Sequence, residues 1–277
     1  KCGDSKVSAR YFIVEMVNGA AFGAIWYVQF CQPMNVNPED IARAIGYFIF
    51  AAALVAAIFT DLAHYIIPDE INAAMFIVGV GVNIALVVLK SPGAWEGNWA
   101  FSLVGALTGI AVIWGIAFFG RLAFRKDAMG HGDIKMARGI GAVLGMQLAL
   151  GSFALAVVLG AVFGIIQVMA RKKQPEPDVE EEDDEPYEPE SLGSLLWCGL
   201  GYVLCVDIIG LVFPKLYEWW FKENPYAYEE IDGEPEVEHT MIPFGPYLAA
   251  GALVAMVFQK QLLNLGMEYW RSVGPSK

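Results

Sequence analysis

Apolar residues fall in long unbroken blocks, at 11–31, 41–60, 71–89, 100–119, 139–170, 192–213 and 241–258, with short polar punctuation between them. Most of these blocks reach the roughly 20 residues that a helix needs to cross a bilayer core. They are continuously apolar and lack the alternation of barrel strands, so the pattern predicts helices. The expected fold class is all-α: a polytopic transmembrane helical bundle of about six to nine spans carrying two acidic loops. The block 139–170 is too long for one span and short for two, so it predicts a helical hairpin turning between Gly145 and Gly151. The block 192–213 contains Asp207 and fits either one crossing or a segment that doubles back.

The organisation follows from these blocks. Residues 1–173 form a membrane core, 174–191 an acidic disordered loop, 192–240 an inserted hydrophobic segment with a second acidic loop, and 241–277 a final span and tail. Composition agrees, at 56% hydrophobic residues and a mean hydropathy of +0.47. The net charge of −12 is concentrated in two places. Residues 174–190 hold ten acids and four prolines, and 223–238 hold seven more acids, with no Lys or Arg in either. Such stretches bury too little apolar surface to fold alone. Without those seventeen acids the chain carries eighteen bases against thirteen acids. Arg121, Arg125, Lys126, Lys135 and Arg138 form a basic cluster, which the positive-inside rule places in the cytoplasm. Counting spans puts the polar break at 61–69 on the same side. No basic, aromatic-laced patch points to nucleic acid.

Cys2, Cys31, Cys198 and Cys205 form no internal CxxC pair and read as small packing residues. The chain opens on Lys-Cys-Gly with no initiator Met, so it is expected to begin inside a longer protein.

The candidate chemistry lies in two polar islands at helix ends, Asp61 to Asp69 and Gly130 to Met136. Asp61 and Asp133 are expected on one membrane face. Two carboxylates brought together beside a low-dielectric region share a proton, and one can then act as base on water while the other acts as acid. Gly130 and Gly132 are expected to allow close backbone approach and positive φ. The residues alone leave other readings open. Asp61 also fits a helix cap or an interfacial residue. Asp69 and Asp127 are competing carboxylates on the same side. His131 reads as a loop side chain. Glu15 and Asp207 are embedded acids, and with Asp61 and Asp133 an acid such as Asp207 would suit the proton relay of a transporter.

Gly130-His131-Gly132-Asp133-Ile134-Lys135 resembles the GxGD-x-K motif of type IV prepilin peptidases. Asp61, followed seven residues later by Pro68-Asp69, resembles that family's other motif. Ala9-Arg10-Tyr11 through Glu15 resembles the opening of its first helix, and Ile242-Pro-Phe-Gly-Pro its last. The four motifs occur in the family's order between residues 2 and 258. The GxGD element alone also fits presenilin-like and preflagellin peptidases.

The resemblance implies an aspartic endopeptidase of the bacterial inner membrane. It would remove the basic leader of type IV prepilins or type II secretion pseudopilins at the cytoplasmic face. Asp61 and Asp133 match the catalytic aspartates, and Asp69, Lys135, Gly130 and Gly132 match supporting motif positions. Proteolysis needs no cofactor. Methylation of the new N-terminus, where present, uses S-adenosylmethionine. Zinc binding in the family uses two CxxC pairs, of which Cys2 matches only the last cysteine. Expected partners are the pilin-like substrates and the lipid bilayer. The insertion at 174–240 and Asp207 are not explained by the resemblance.

Overall fold

A computed structural model describes residues 9–31, 38–90, 98, 100–125, 129–171, 191–224 and 243–273. Cys2, Asp127, the first acidic segment and nearly all of the second lie outside the described residues. The protein is all-α and polytopic. Its helices are α1 (Ala9–Trp26, extended by a π-helical turn at Tyr27–Cys31), α2 (Pro38–His64), α3 (Asp69–Val88), α4 (Phe101–Phe124) and α5 (His131–Arg171). After the first acidic segment come α6 (Leu192–Val203), α7 (Val206–Val212) and α8 (Pro214–Phe221), and then α9 (Gly245–Val257) and α10 (Gln259–Val273). Five helices are long and apolar enough to cross a membrane, or seven if each of two bent pairs is one span.

Lipid tails are as apolar as Leu, so burial alone does not hold such helices together. Close packing of small residues does. Gly105 of α4 and Gly141 of α5 sit backbone to backbone, and a Cβ on either would collide with the other's carbonyl. Gly109 meets Ala137 in the same way one turn along, and Gly79 of α3 meets Ala142. The first arm of α5 is therefore wedged between α3 and α4. Ile134, Met136, Ala137 and Ile140 on it are fully buried.

Helix α5 does not run straight. Gly145 has φ 71° and ψ 173°, and Phe101 fills the space that its Cβ would need. Only glycine takes this conformation without strain. The chain reverses there. On the arm 131–144 the neighbours are Ala137 against Gly109 and Gly141 against Gly105. On the arm 146–171, Ser152 and Ala156 lie against Gly251, and Gly160 lies against Phe244 and Tyr247, beside Gly245 and Asp61. Residue 160 is thus back at the end of the bundle that holds Asp61. The hairpin expected from the length of this block is present, with its turn at Gly145.

The segment 191–224 doubles back as well. Ser191 caps α6 by accepting a hydrogen bond from the Ser194 N–H. A 70° bend separates α6 from α7, with Cys205 in the left-handed region. Pro214 starts α8, where its missing N–H costs nothing. Trp197 and Trp220 then stack at 4.3 Å, and each indole N–H donates to the other's carbonyl. This brings the two ends of the segment together. Part of its packing on the bundle comes from the Trp114 indole, which donates to the Leu195 carbonyl at 3.1 Å, and from Gly199 against the same ring.

Candidate active site

Both sequence-predicted aspartates line one cleft at the end of the bundle. Asp61 lies one turn before the end of α2, and Asp133 lies in the first turn of α5. The cleft is lined by Tyr65, Ile66 and Ile67, by Gly130 to Asp133, and by Tyr217, Glu223 and Asn224. It encloses about 960 Å³, open solvent at its mouth included. Asp61 is 6% exposed and Asp133 9%, and the Asp61 charge acts on Asp133. The Gly245 N–H donates to the Asp61 carboxylate, and the Gly130 N–H donates to that of Asp133.

The glycines act differently from expectation. Neither Gly130 nor Gly132 has positive φ. The reason is that α5 already begins at His131, so Gly132 takes helical dihedrals. A Cβ at Gly132 would make ordinary contact with Ile67 at 3.4 Å, and one at Gly130 would approach Asp133 Oδ2 no closer than 3.8 Å. Their contribution is a low wall. The glycine that cannot be replaced without displacement is Gly245. A Cβ there would stand 2.5 Å from Asp61 Oδ2 and 2.8 Å from Ile67 Cδ1. The signal for it was present in the Pro-Phe-Gly-Pro opening of the last span.

Asp69 and Lys135 meet. Asp69 opens α3 behind Pro68, where a negative charge favours the helix N-terminus. Lys135 Nζ lies 2.7 Å from both Asp69 oxygens. Tyr217 from α8 completes the group. Its hydroxyl donates to Asp69 Oδ2 at 2.7 Å and accepts from Lys135 Nζ at 3.1 Å. Burial, and then the neighbouring Asp69 charge, push the Tyr217 phenol well above its ordinary value, so it stays a proton donor. The rings of Tyr202, Tyr217 and Phe221 surround the ammonium at 5.5, 5.5 and 5.8 Å.

Other expectations change. Arg138 belongs to the interior rather than to a surface basic cluster. It is 1% exposed and pairs with Asp207, 2% exposed, through two hydrogen bonds of 2.8 and 2.6 Å. It also donates to the Tyr202 carbonyl at 2.9 Å. Asp207 thus has a partner and does not line the cleft, which removes it from the relay reading. His131 is not a free loop side chain, since its Nδ1 is 2.7 Å from the Tyr202 hydroxyl. Glu15 is exposed on α1 and does not line the cleft. Among the described residues no three His, Cys, Asp or Glu side chains are grouped to hold a metal.

The sequence is similar to known proteins. Residues 48–165 match the model of the type IV leader peptidase family, a stretch that contains Asp61, Asp69, Asp133 and Lys135. A prepilin leader peptidase/N-methyltransferase of Myxococcus xanthus is 29% identical over 89% of this chain and 69% of its own length. Proteins of the same name from Stutzerimonas stutzeri and Neisseria gonorrhoeae are 25% and 24% identical, over 63% and 62% of this chain. The match spans only about half of their own length, 55% and 54%. No solved structure matches. Residues 48–165, which carry both aspartates, are thus similar to the type IV leader peptidase family.

Proposed function

We propose that this protein is a membrane aspartic endopeptidase that cleaves the leader from type IV prepilins or type II secretion pseudopilins, with Asp61 and Asp133 as its catalytic pair. The observation that carries the reading is the convergence of these two carboxylates, from different helices, in one open cleft at the end of the bundle. One carboxylate takes a proton from the attacking water. The other gives a proton to the scissile carbonyl, and the proton on the first then passes to the leaving amine. The substrate peptide enters this cleft beside Gly130 and the two carboxylates.

The site faces the cytoplasm. Lys135 and Arg138 are buried in ion pairs, so they carry little weight in orienting the chain. Arg121, Arg125 and Lys126, and Arg171-Lys172-Lys173 at the end of the returning arm, support this orientation. The bilayer is the second partner, and the substrate's apolar helix approaches the cleft from it.

The names of the relatives join peptidase to N-methyltransferase. Methylation of the new N-terminus by this chain would draw on S-adenosylmethionine as methyl donor. Hydrolysis by a carboxylate pair needs no metal.

The test is incubation of the full chain in liposomes with a prepilin, followed by mass spectrometry of the product. Loss of the leader at a single bond, unchanged by a chelator, is expected. An intact prepilin, or cleavage that a chelator abolishes, contradicts the reading. Added S-adenosylmethionine reads out methylation separately.

Gly245→Ala tests the geometry. The new methyl forces Asp61 away from its place, so kcat falls at least about tenfold, because sub-ångström misplacement of a reacting group is costly. A Gly245→Ala protein with wild-type kcat would show that the position of Asp61 is not critical.

A further inference from the structure

Three contacts join the segment 191–224 to the start of α5: Tyr202 to His131, Tyr217 to Lys135, and Asp207 to Arg138. Positions 131, 135 and 138 are spaced i, i+4, i+7 and share one face of a helix. Asp133 is two residues from both 131 and 135, about 200° around the helix, and so projects from the other side. The segment therefore grips the arm along one face while Asp133 projects from another, and His131, Lys135 and Tyr217 reach the edge of the cleft. All three gripping residues lie beyond the family match, which ends at residue 165.

We propose that the segment 191–224 is a clamp that sets the position of Asp133, and that Tyr217 is its positioning residue for peptide cleavage. Tyr217 is 4% exposed and touches two groups from different helices, Asp69 at the start of α3 and Lys135 on α5. Asp69 follows Asp61 by way of Ile66, Ile67 and Pro68. The Asp69–Lys135–Tyr217 group thus ties the strand of chain leaving Asp61 to the helix carrying Asp133. Lys135 alone could pair with Asp69 in several rotamers. The Tyr217 hydroxyl, bonded to both, leaves one. Glu223 and Asn224, at the end of the same segment, form part of the cleft wall, so the clamp also borders the substrate.

The inference rests on the aspartate-pair reading, and the experiment separates the two. Tyr217→Phe removes only the hydroxyl. In the liposome assay its kcat is expected to fall about tenfold, the scale of a hydrogen bond to a charged group, with KM within about twofold because the hydroxyl removed is bonded to Asp69 and Lys135. In an Asp69→Asn background the same change is expected to cost less than about twofold, since the residue acts through Asp69. Wild-type kcat for Tyr217→Phe, or an equal loss in both backgrounds, overturns the inference. Should Tyr217→Phe fail to fold, Tyr202→Phe, which frees His131 from the clamp, carries the same expected loss of kcat, and no loss there overturns it. Activity retained in Asp61→Asn or Asp133→Asn instead overturns the reading beneath it.

Discussion

Asp61→Asn and Asp133→Asn should each reduce prepilin cleavage by at least about a thousandfold, with the folded protein unchanged in melting temperature. The size follows from the division of labour. General acid and general base catalysis each contribute about a hundredfold to ten-thousandfold, and an Asn side chain does neither. The amide keeps the shape of the carboxylate and can still accept from the Gly245 or Gly130 N–H, so folding is spared. Among the described residues the buried bases Lys135 and Arg138 pair with Asp69 and Asp207, so removing the charge of Asp61 or Asp133 leaves neither base without a partner. A variant that retains a tenth of wild-type kcat would show that its aspartate is a bystander.

The second large effect is on stability. Asp207→Ala should destabilise the protein by about 3–5 kcal/mol, the usual cost of leaving one member of a buried ion pair behind. Arg138 is fully enclosed, and its Nε already has no hydrogen-bond partner. Without Asp207 its two terminal nitrogens keep only the Tyr202 carbonyl. The double substitution Arg138→Met with Asp207→Leu removes both charges and should recover most of the loss. Thermal unfolding in detergent measures both. A single variant as stable as wild type would mean that the pair does not anchor the 191–224 segment.

The bundle was legible in the sequence because membrane helices announce themselves. Length and apolarity set their number and type, and the block at 139–170 was long enough to require a reversal. The two aspartates were legible as polar residues at helix ends, and the motif resemblance paired them. What was hidden is the clamp. Tyr202 and His131 are 71 residues apart, Asp207 and Arg138 69, and Tyr217 and Lys135 82, and no periodicity links such positions. Arg138 looked like one more cytoplasmic base because sequence cannot distinguish a solvated charge from a buried pair. Asp207 looked functional for the same reason, since an embedded acid without a visible partner invites a role in chemistry. Positive φ was expected beside Asp133 and occurs at Gly145 instead, where the chain must reverse against Phe101.

The clamp also gives the acidic insertion a place. The segment lies between two acid-rich stretches and delivers Tyr217, Glu223 and Asn224 to the cleft.

The most direct measurement is a comparison of single-turnover cleavage by Asp61→Asn, Asp133→Asn and the double variant on one prepilin under one set of conditions. Residues that act as a unit lose their whole contribution when either is removed. Three rates equal within error, all at background, are expected if Asp61 and Asp133 act as one pair. A double variant slower than both singles, or a single variant cleaving near the wild-type rate, would contradict that pairing.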